Sequence, residues 1–322
     1  MLKMLICGAS GFIGQNLMSY FCNDPKFEVT GVIFKSEVPS HLSGKKFIRG
    51  DLRDINFVNK VCKNKDIILQ FAATTSGARD MVLQPFVHVT DNAVINSLIL
   101  RAAFENKIKK FIFPSCTVMY QTSDKAIKEI DFDANAELQE NYFGVGNTKL
   151  YIEKMCEFYS RIGNTQHIVL RHSNIYGPYD KFDLDRSHMM GANITKVLSS
   201  ENNGSIKIWG KGEERRDLLY ISDFVKAVDN SLKINEKFGT FNVGAGKSEP
   251  VKRVIELIIK TSGKNIMINH DLSKPTIPTN IEIDYSKFKS ATGWSPSISL
   301  ETGIASTCSW WLEAKQAGNL KI

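Results

Sequence analysis

Leu2-Lys3-Met4-Leu5-Ile6-Cys7-Gly8-Ala9-Ser10-Gly11-Phe12-Ile13-Gly14 is the stretch that decides the fold. Leu2–Cys7 is an apolar run of strand length. Gly8, Gly11 and Gly14 follow at three-residue spacing. Gly14–Cys22 then places Leu17, Met18 and Phe21 on one face, the period of a helix. A strand, a glycine-rich turn and a helix in that order form a phosphate-binding element. Glycine permits the tight turn and lets backbone N–H groups approach a pyrophosphate at the helix N-terminus. Gly8, Ser10, Gly11, Phe12, Ile13 and Gly14 are therefore expected to hold a dinucleotide, with Ser10 adding a hydroxyl donor.

The alternation continues outward from this unit. Phe27–Phe34, Lys46–Arg49, Asp66–Phe71, Lys110–Phe113 and His167–Leu170 read as strands, and Asn92–Asn106 and Thr148–Ile162 as helices. Such alternation predicts βαβ units and a parallel sheet covered on both faces: an α/β, Rossmann-type, doubly wound domain over residues 1–175. After residue 175 turn-rich segments such as Tyr176-Gly177-Pro178-Tyr179 and Gly210-Lys211-Gly212 break the rhythm. Helical patterns at Ile221–Leu232 and Val251–Thr261 alternate with short strands. Residues 176–322 are expected to form a smaller C-terminal α/β lobe for the substrate, with the chain crossing between lobes. Lys264–Asn280, with Pro275 and Pro278, reads as loop.

Bulk properties narrow the function classes. A 43% hydrophobic, 23% charged chain of 322 residues has the composition of a globular enzyme. The formal net charge of +7 comes from scattered lysines, densest at Lys107, Lys109 and Lys110. That is a solvated surface rather than a nucleic-acid patch. The six cysteines form no CxxC pair and sit mostly in apolar runs, which fits reduced thiols and neither a disulfide framework nor a metal site. With no signal peptide and no apolar stretch near 18 residues, the expected setting is the cytoplasm, without a membrane partner.

Preference between NAD and NADP is set near the end of the second strand, by an acid for the ribose hydroxyls or a base for the extra phosphate. Here Phe34-Lys35-Ser36-Glu37 offers one lysine, Lys35, beside a glutamate. NAD is expected as cofactor, with NADP left open.

Further motifs resemble the extended short-chain dehydrogenase/reductase family of nucleotide-sugar epimerases, dehydratases and reductases. They are Gly50-Asp51-Leu52-Arg53-Asp54, Ala72-Ala73, Asn92, Pro114-Ser115-Cys116-Thr117-Val118-Met119-Tyr120, Leu170-Arg171-His172-Ser173-Asn174-Ile175-Tyr176-Gly177-Pro178 and Arg216-Asp217-Leu218-Leu219-Tyr220-Ile221-Ser222-Asp223. The resemblance spans nearly the whole chain. It implies a Rossmann fold, Asp51 and Leu52 by the adenine, Ala72 and Ala73 along the cofactor, and Lys149 on the nicotinamide ribose. It also implies a Ser or Thr after the fifth strand, hence Ser115, Cys116 or Thr117. Ser187-His188-Met189-Met190 and Trp209-Gly210-Lys211-Gly212 are most similar to the GDP-fucose synthase branch. That places Asn174, His188, Lys196 and Arg216 on a nucleotide sugar, with His188 at the hexose and Arg216 at the phosphates. Family members often dimerise through a four-helix bundle made from the Asn92–Asn106 and Thr148–Ile162 helices, so a homodimer is expected.

The chain departs from this pattern at the proton-transferring residue. In the family a tyrosine stands four residues before the lysine; here that residue is Val145. Three explanations stand. Another residue moves the proton: Tyr142, on the same side as Lys149 if the helix is continuous; Cys116, if the nearby ammonium lowers its pKa; or His188. Alternatively, water accepts the proton in a slow reaction. The third is that the chain binds a dinucleotide without catalysis, as a regulator. Val118 occupies the place of the cysteine that the GDP-fucose synthase branch uses for epimerisation. His172 stands where the family commonly has proline. The expected activity is oxidation or reduction of a GDP-linked, manno-configured hexose or heptose at C4, with 4-epimerisation as the alternative. Richness in Lys, Ile and Asn points to an AT-rich bacterial genome and a role in surface polysaccharide synthesis.

Overall fold

The computed structural model describes residues 1–75, 83–273, 276 and 279–320. Seven strands form one sheet, and every pairing in it is parallel. In chain order they are β1 (Leu2–Cys7), β2 (Phe27–Ile33), β3 (Phe47–Arg49), β4 (Ile67–Gln70), β5 (Lys110–Cys116), β6 (Gln166–His172) and, much later, β10 (Phe238–Val243). Their spatial order is β10-β6-β5-β4-β1-β2-β3. The order reverses direction between β1 and β4, and such switch points open a crevice at the strand C-termini.

Both faces are covered, which is why the strands read as continuous apolar runs. On one face α1 (Phe12–Phe21) and α6 (Ile221–Ser231) bury Leu17, Phe21, Phe224 and Val228 against Met4, Ile6, Ile112 and Ile168. On the other, α2 (Ile55–Cys62), α3 (Thr90–Glu105) and α4 (Phe143–Ile162) bury Val58, Ile99 and Ile152 against Leu5, Ile68, Phe111 and Val169. The sheet has a seventh strand that the reading of the first 175 residues does not contain. β10 comes from the later sequence and pairs with β6 from Phe238↔His167 to Val243↔His172.

The remaining elements build the smaller lobe. β7 (Asn174–Tyr176), β9 (Arg215–Tyr220), β11 (Ser248–Pro250) and β13 (Asn280–Ile281) form one small sheet. β8 (Ser205–Trp209) pairs in parallel with β12 (Met267–Asp271). α5 (Met189–Ser199), α7 (Val251–Ser262) and α9 (Leu300–Gln316) pack around the fully buried Trp311. The strand β12 corrects the loop expected over Lys264–Asn280. Ile266 and Ile268 alternate toward the cluster holding Ile206 and Ile208, and that pattern outweighs the nearby prolines. Pro275 and Pro278 lie outside the described residues. Two buried carboxylates tie the parts together. Asp217 accepts from the backbone N–H of Ala245, Gly246 and Ile283. Asp223 accepts from Ser297 and Ile298, locking the segment before α9.

His167 on β6 gives a test of this core. It is fully buried against Phe111, with Nδ1 3.1 Å from the Thr165 carbonyl, and burial pushes its pKa down to about 4. The folded protein thus binds fewer protons here than the unfolded chain, whose histidine titrates near 6.5. Stability from His167 is present above pH 6.5 and is lost as pH falls toward 4. Buried Asp217, raised to about 6, has the opposite sign, so the effect is read as a difference. The stability gap between wild type and His167→Gln should move by about 2 kcal/mol against the wild type from pH 7 to pH 5. Urea titrations at the two pH values measure it, and an unchanged gap contradicts a buried neutral imidazole.

Candidate active site

The glycine turn has the geometry its sequence requires. Gly8 adopts φ +74°, and a Cβ there would lie 2.7 Å from Phe71 O and from Ala72 Cα. A Cβ on Gly14 would overlap the Gly8 carbonyl oxygen. α1 starts with Gly11 as its cap, with no side-chain cap and no acid in the first turn. Its first N–H groups and the positive end of the helix dipole are left for an anion. Gln15 Nε2 donates to Ser10 O at 2.9 Å and fixes the turn. Phe12 and Ile13 pack on the core below. These residues fit a dinucleotide pyrophosphate.

Along the path toward the adenosine end, Lys35 is exposed, its Nζ 5.2 Å from the Phe34 ring centroid. Asp51 is held by Arg53 at 2.7 Å, which keeps its carboxyl below the usual range. Arg53 also reaches Asp91 at 3.1 Å. Leu52 is buried in the core.

At the opposite end of the crevice, β4, β5 and α4 converge on a pocket lined by Ala72, Ala73, Phe113, Pro114, Val145 and Lys149. Asn92 pins the loop after β4: its side chain accepts from Thr74 N at 2.8 Å and donates to Thr74 O at 3.0 Å. Lys149 Nζ donates to Pro114 O at 2.8 Å and lies 4.7 Å from the Phe113 ring centroid. Burial lowers its pKa, opposed by Cys116 and Glu153. Cys116 faces Lys149, but burial outweighs the ammonium and its thiol is pushed up. The expectation of a lowered thiol pKa is thereby reversed. Ser115 is fully buried, its hydroxyl without a partner among the described residues. Thr117 is also buried.

Tyr142 is not part of the helix that carries Lys149. α4 begins at Phe143, and Tyr142 ends a short 3-10 turn before it. The continuous helix that would align Tyr142 with Lys149 is interrupted there. The phenol still comes within electrostatic reach of Cys116 and Arg216; burial pushes its pKa up and Arg216 opposes this. Arg216 Nη1 donates to Thr279 Oγ1 at 2.6 Å. His188 stands at the N-cap position of α5, makes no side-chain cap hydrogen bond and is exposed. Desolvation, with Lys181 and His88, pushes its pKa down. Lys181 Nζ bridges from the smaller lobe to Thr75 O at 2.7 Å. Asn174 Nδ2 donates to Asp217 O at 3.2 Å. The Lys196 ammonium donates one bond, to Lys207 O at 2.9 Å.

Two features escaped the sequence. Glu153 and Arg171 form a buried pair at 2.7 Å behind the site. Arg171 also donates to Tyr120 Oη at 2.9 Å, and Tyr120 donates to Asn242 at 2.7 Å. His172 is the other. Motif positions were the available signal for Arg171 and His172, but they gave no partner for either. Among the described residues, no cluster of three or more His, Cys, Asp or Glu could hold a metal. No described helix is long and apolar enough to cross a membrane.

A doubly wound sheet with an open glycine turn, and a half-buried lysine at the strand C-termini, defines a dinucleotide-dependent Rossmann enzyme. The chain belongs to the NAD dependent epimerase/dehydratase family, whose model matches residues 4–244, and NAD is its cofactor. It is 29% identical over 322 residues to a GDP-L-colitose synthase of Yersinia pseudotuberculosis, covering 98% of this chain and 99% of that one. It is 26% identical to a GDP-L-fucose synthase of Azorhizobium caulinodans, covering 98% and 97%. Its fold is similar to that of a UDP-glucose 4-epimerase of Thermotoga maritima, with a TM-score of 0.86 at 23% identity, covering 98% and 100%.

Proposed function

We propose that this enzyme oxidises or reduces C4 of a nucleotide-linked sugar, a GDP-linked, manno-configured hexose or heptose, in the cytoplasm of a bacterium building a surface polysaccharide. The similarity over nearly the whole chain to proteins named GDP-L-colitose synthase and GDP-L-fucose synthase carries this reading. NAD supplies the hydride acceptor or donor when bound. Lys149 holds the nicotinamide ribose, and Arg216, within electrostatic reach of Tyr142, meets the diphosphate. Val118 replaces the cysteine that double epimerisation uses in the GDP-fucose synthase branch, which favours simple redox chemistry. The residues proposed to contact the reacting sugar are Cys116, Tyr142 and His188. Ser115 and Thr117 flank Cys116, and Asn174 and Lys196 complete the sugar-nucleotide wall.

The test is incubation of the purified protein with GDP-, UDP- and dTDP-sugars and either NAD or NADP. A net change in nicotinamide absorbance with a GDP-sugar is expected. Sugar conversion without net absorbance change would assign a 4-epimerase instead, and bound NAD with no conversion a regulatory binder.

We also propose a homodimer in which α3 and α4 pair with their copies as a four-helix bundle. Val94, Tyr151 and Phe158 leave apolar surface exposed on these two helices. Sedimentation at micromolar concentration should give twice the chain mass; a monomer contradicts the pairing.

A further inference from the structure

His172 ends β6 at the C-terminal edge of the large sheet. It is in register with Cys116 on β5 and Val243 on β10. Register partners on parallel strands present their side chains on the same face. His172 and Cys116 therefore leave the sheet together, at the edge where such folds take ligands. Phe224 of α6 packs edge-to-face on the ring, with centroids 5.1 Å apart.

The ring has a defined tautomer. Nδ1 lies 2.7 Å from the Ser173 carbonyl oxygen. A carbonyl only accepts, so the proton sits on Nδ1 and Nε2 keeps its lone pair. The titratable groups around it are Lys149 from α4, His188 from the turn before α5, and Cys116 from β5; α6 contributes the apolar Phe224. Desolvation, with smaller contributions from Lys149 and His188, pushes its pKa down to about 4, opposed by the bond to Ser173. The imidazole is thus neutral at pH 7. Tyr142 and Cys116, both pushed up, hold their protons at that pH and are acids rather than bases. His188 makes no side-chain hydrogen bond among the described residues that would fix its tautomer.

We propose that His172 Nε2 accepts the hydroxyl proton of the carbinol being oxidised, taking the place of the tyrosine that Val145 lacks; this rests on the oxidoreductase reading above. The O–H bond breaks and its proton forms an N–H bond at Nε2. The C–H bond breaks, and its electron pair leaves with the hydride as the oxygen lone pair closes the C=O bond. NAD held at the glycine turn and Lys149 would supply the hydride acceptor. In reduction the imidazolium returns the proton to the carbonyl oxygen. The Ser173 carbonyl and the Phe224 ring hold the imidazole in place.

The first test needs no turnover. Imidazole 15N shifts of the labelled protein at pH 7 should report His172 neutral, with Nδ1 protonated and Nε2 bare; a proton on Nε2 overturns the proposal. The second uses a sugar nucleotide that the wild type oxidises. His172→Gln and His172→Phe should each lower kcat about 100-fold or more, with NAD affinity within about threefold of wild type by calorimetry. The acidic limb of the kcat–pH profile should disappear in both. Retention of kcat within tenfold in folded His172→Gln overturns the proposal, as does a loss of NAD affinity that matches the loss of kcat, which would make His172 a cofactor-positioning residue. If the wild type moves no hydride with any sugar nucleotide, the oxidoreductase reading fails and the proposal with it. If only the variants behave as wild type, the proposal alone fails.

Discussion

Gly14→Ala is expected to weaken NAD binding about 5- to 150-fold, the affinity equivalent of the roughly 1–3 kcal/mol that overpacking costs. The added methyl would overlap the Gly8 carbonyl oxygen, and the obstacle is backbone, which has no rotamer by which to yield. Gly8 is itself fixed at φ +74° against Phe71 and Ala72, so the turn cannot retreat toward β4. The remaining relief is for α1 to move away, which withdraws its first-turn N–H groups from the phosphates. Calorimetric titration with NAD measures the effect, with thermal melting to show that the sheet persists. Unchanged affinity in the folded variant would mean that the pyrophosphate lies elsewhere. Gly11→Ala is the milder comparison, since its Cβ would stand 3.2 Å from the same oxygen.

Glu153→Ala should destabilise the protein by about 3–5 kcal/mol. Glu153 and Arg171 have side chains only 4% and 6% exposed, so removing the carboxylate strands a guanidinium in the interior. Arg171 gives Glu153 three N–H···O contacts, of 2.7, 3.1 and 3.2 Å, and also supports Tyr120. Replacing both partners with apolar residues, Glu153→Leu with Arg171→Met, should cost less than the single change, because no buried charge is left alone. Denaturant unfolding of the two variants decides it. A single-variant loss under about 1 kcal/mol, the range of exposed pairs, would contradict a buried pair. Glu153 lies one turn beyond Lys149 on α4, so the same variant should also loosen the lysine.

What the sequence disclosed and what it withheld follow from the range of the interactions. The glycine turn was legible because strand, turn and helix are adjacent and each glycine answers a local need. Lys149 and Val145 were legible because helix spacing is local. The Glu153–Arg171 pair was hidden because its partners sit on a helix and a strand 18 positions apart, and either residue alone reads as a surface charge. Tyr120 and Asn242 meet across 122 positions, through the pairing of β10 with β6. β10 itself was hidden because a six-residue strand carries no mark of which sheet it will join. The break before α4 was equally invisible, since Tyr142 and Phe143 differ in backbone conformation and not in helical pattern. The pKa of Cys116 reversed because its neighbour Lys149 was readable and its burial was not.

The proposed reaction moves hydride between C4 of a sugar nucleotide and NAD held on this sheet edge. The direct measurement uses a GDP-sugar carrying deuterium at C4, incubated with the enzyme and NAD, with mass spectrometry of the recovered cofactor. One deuterium is expected in the reduced nicotinamide and none at C4 of the oxidised sugar. Deuterium remaining on C4, or washed out into water with the cofactor unlabelled, would contradict it.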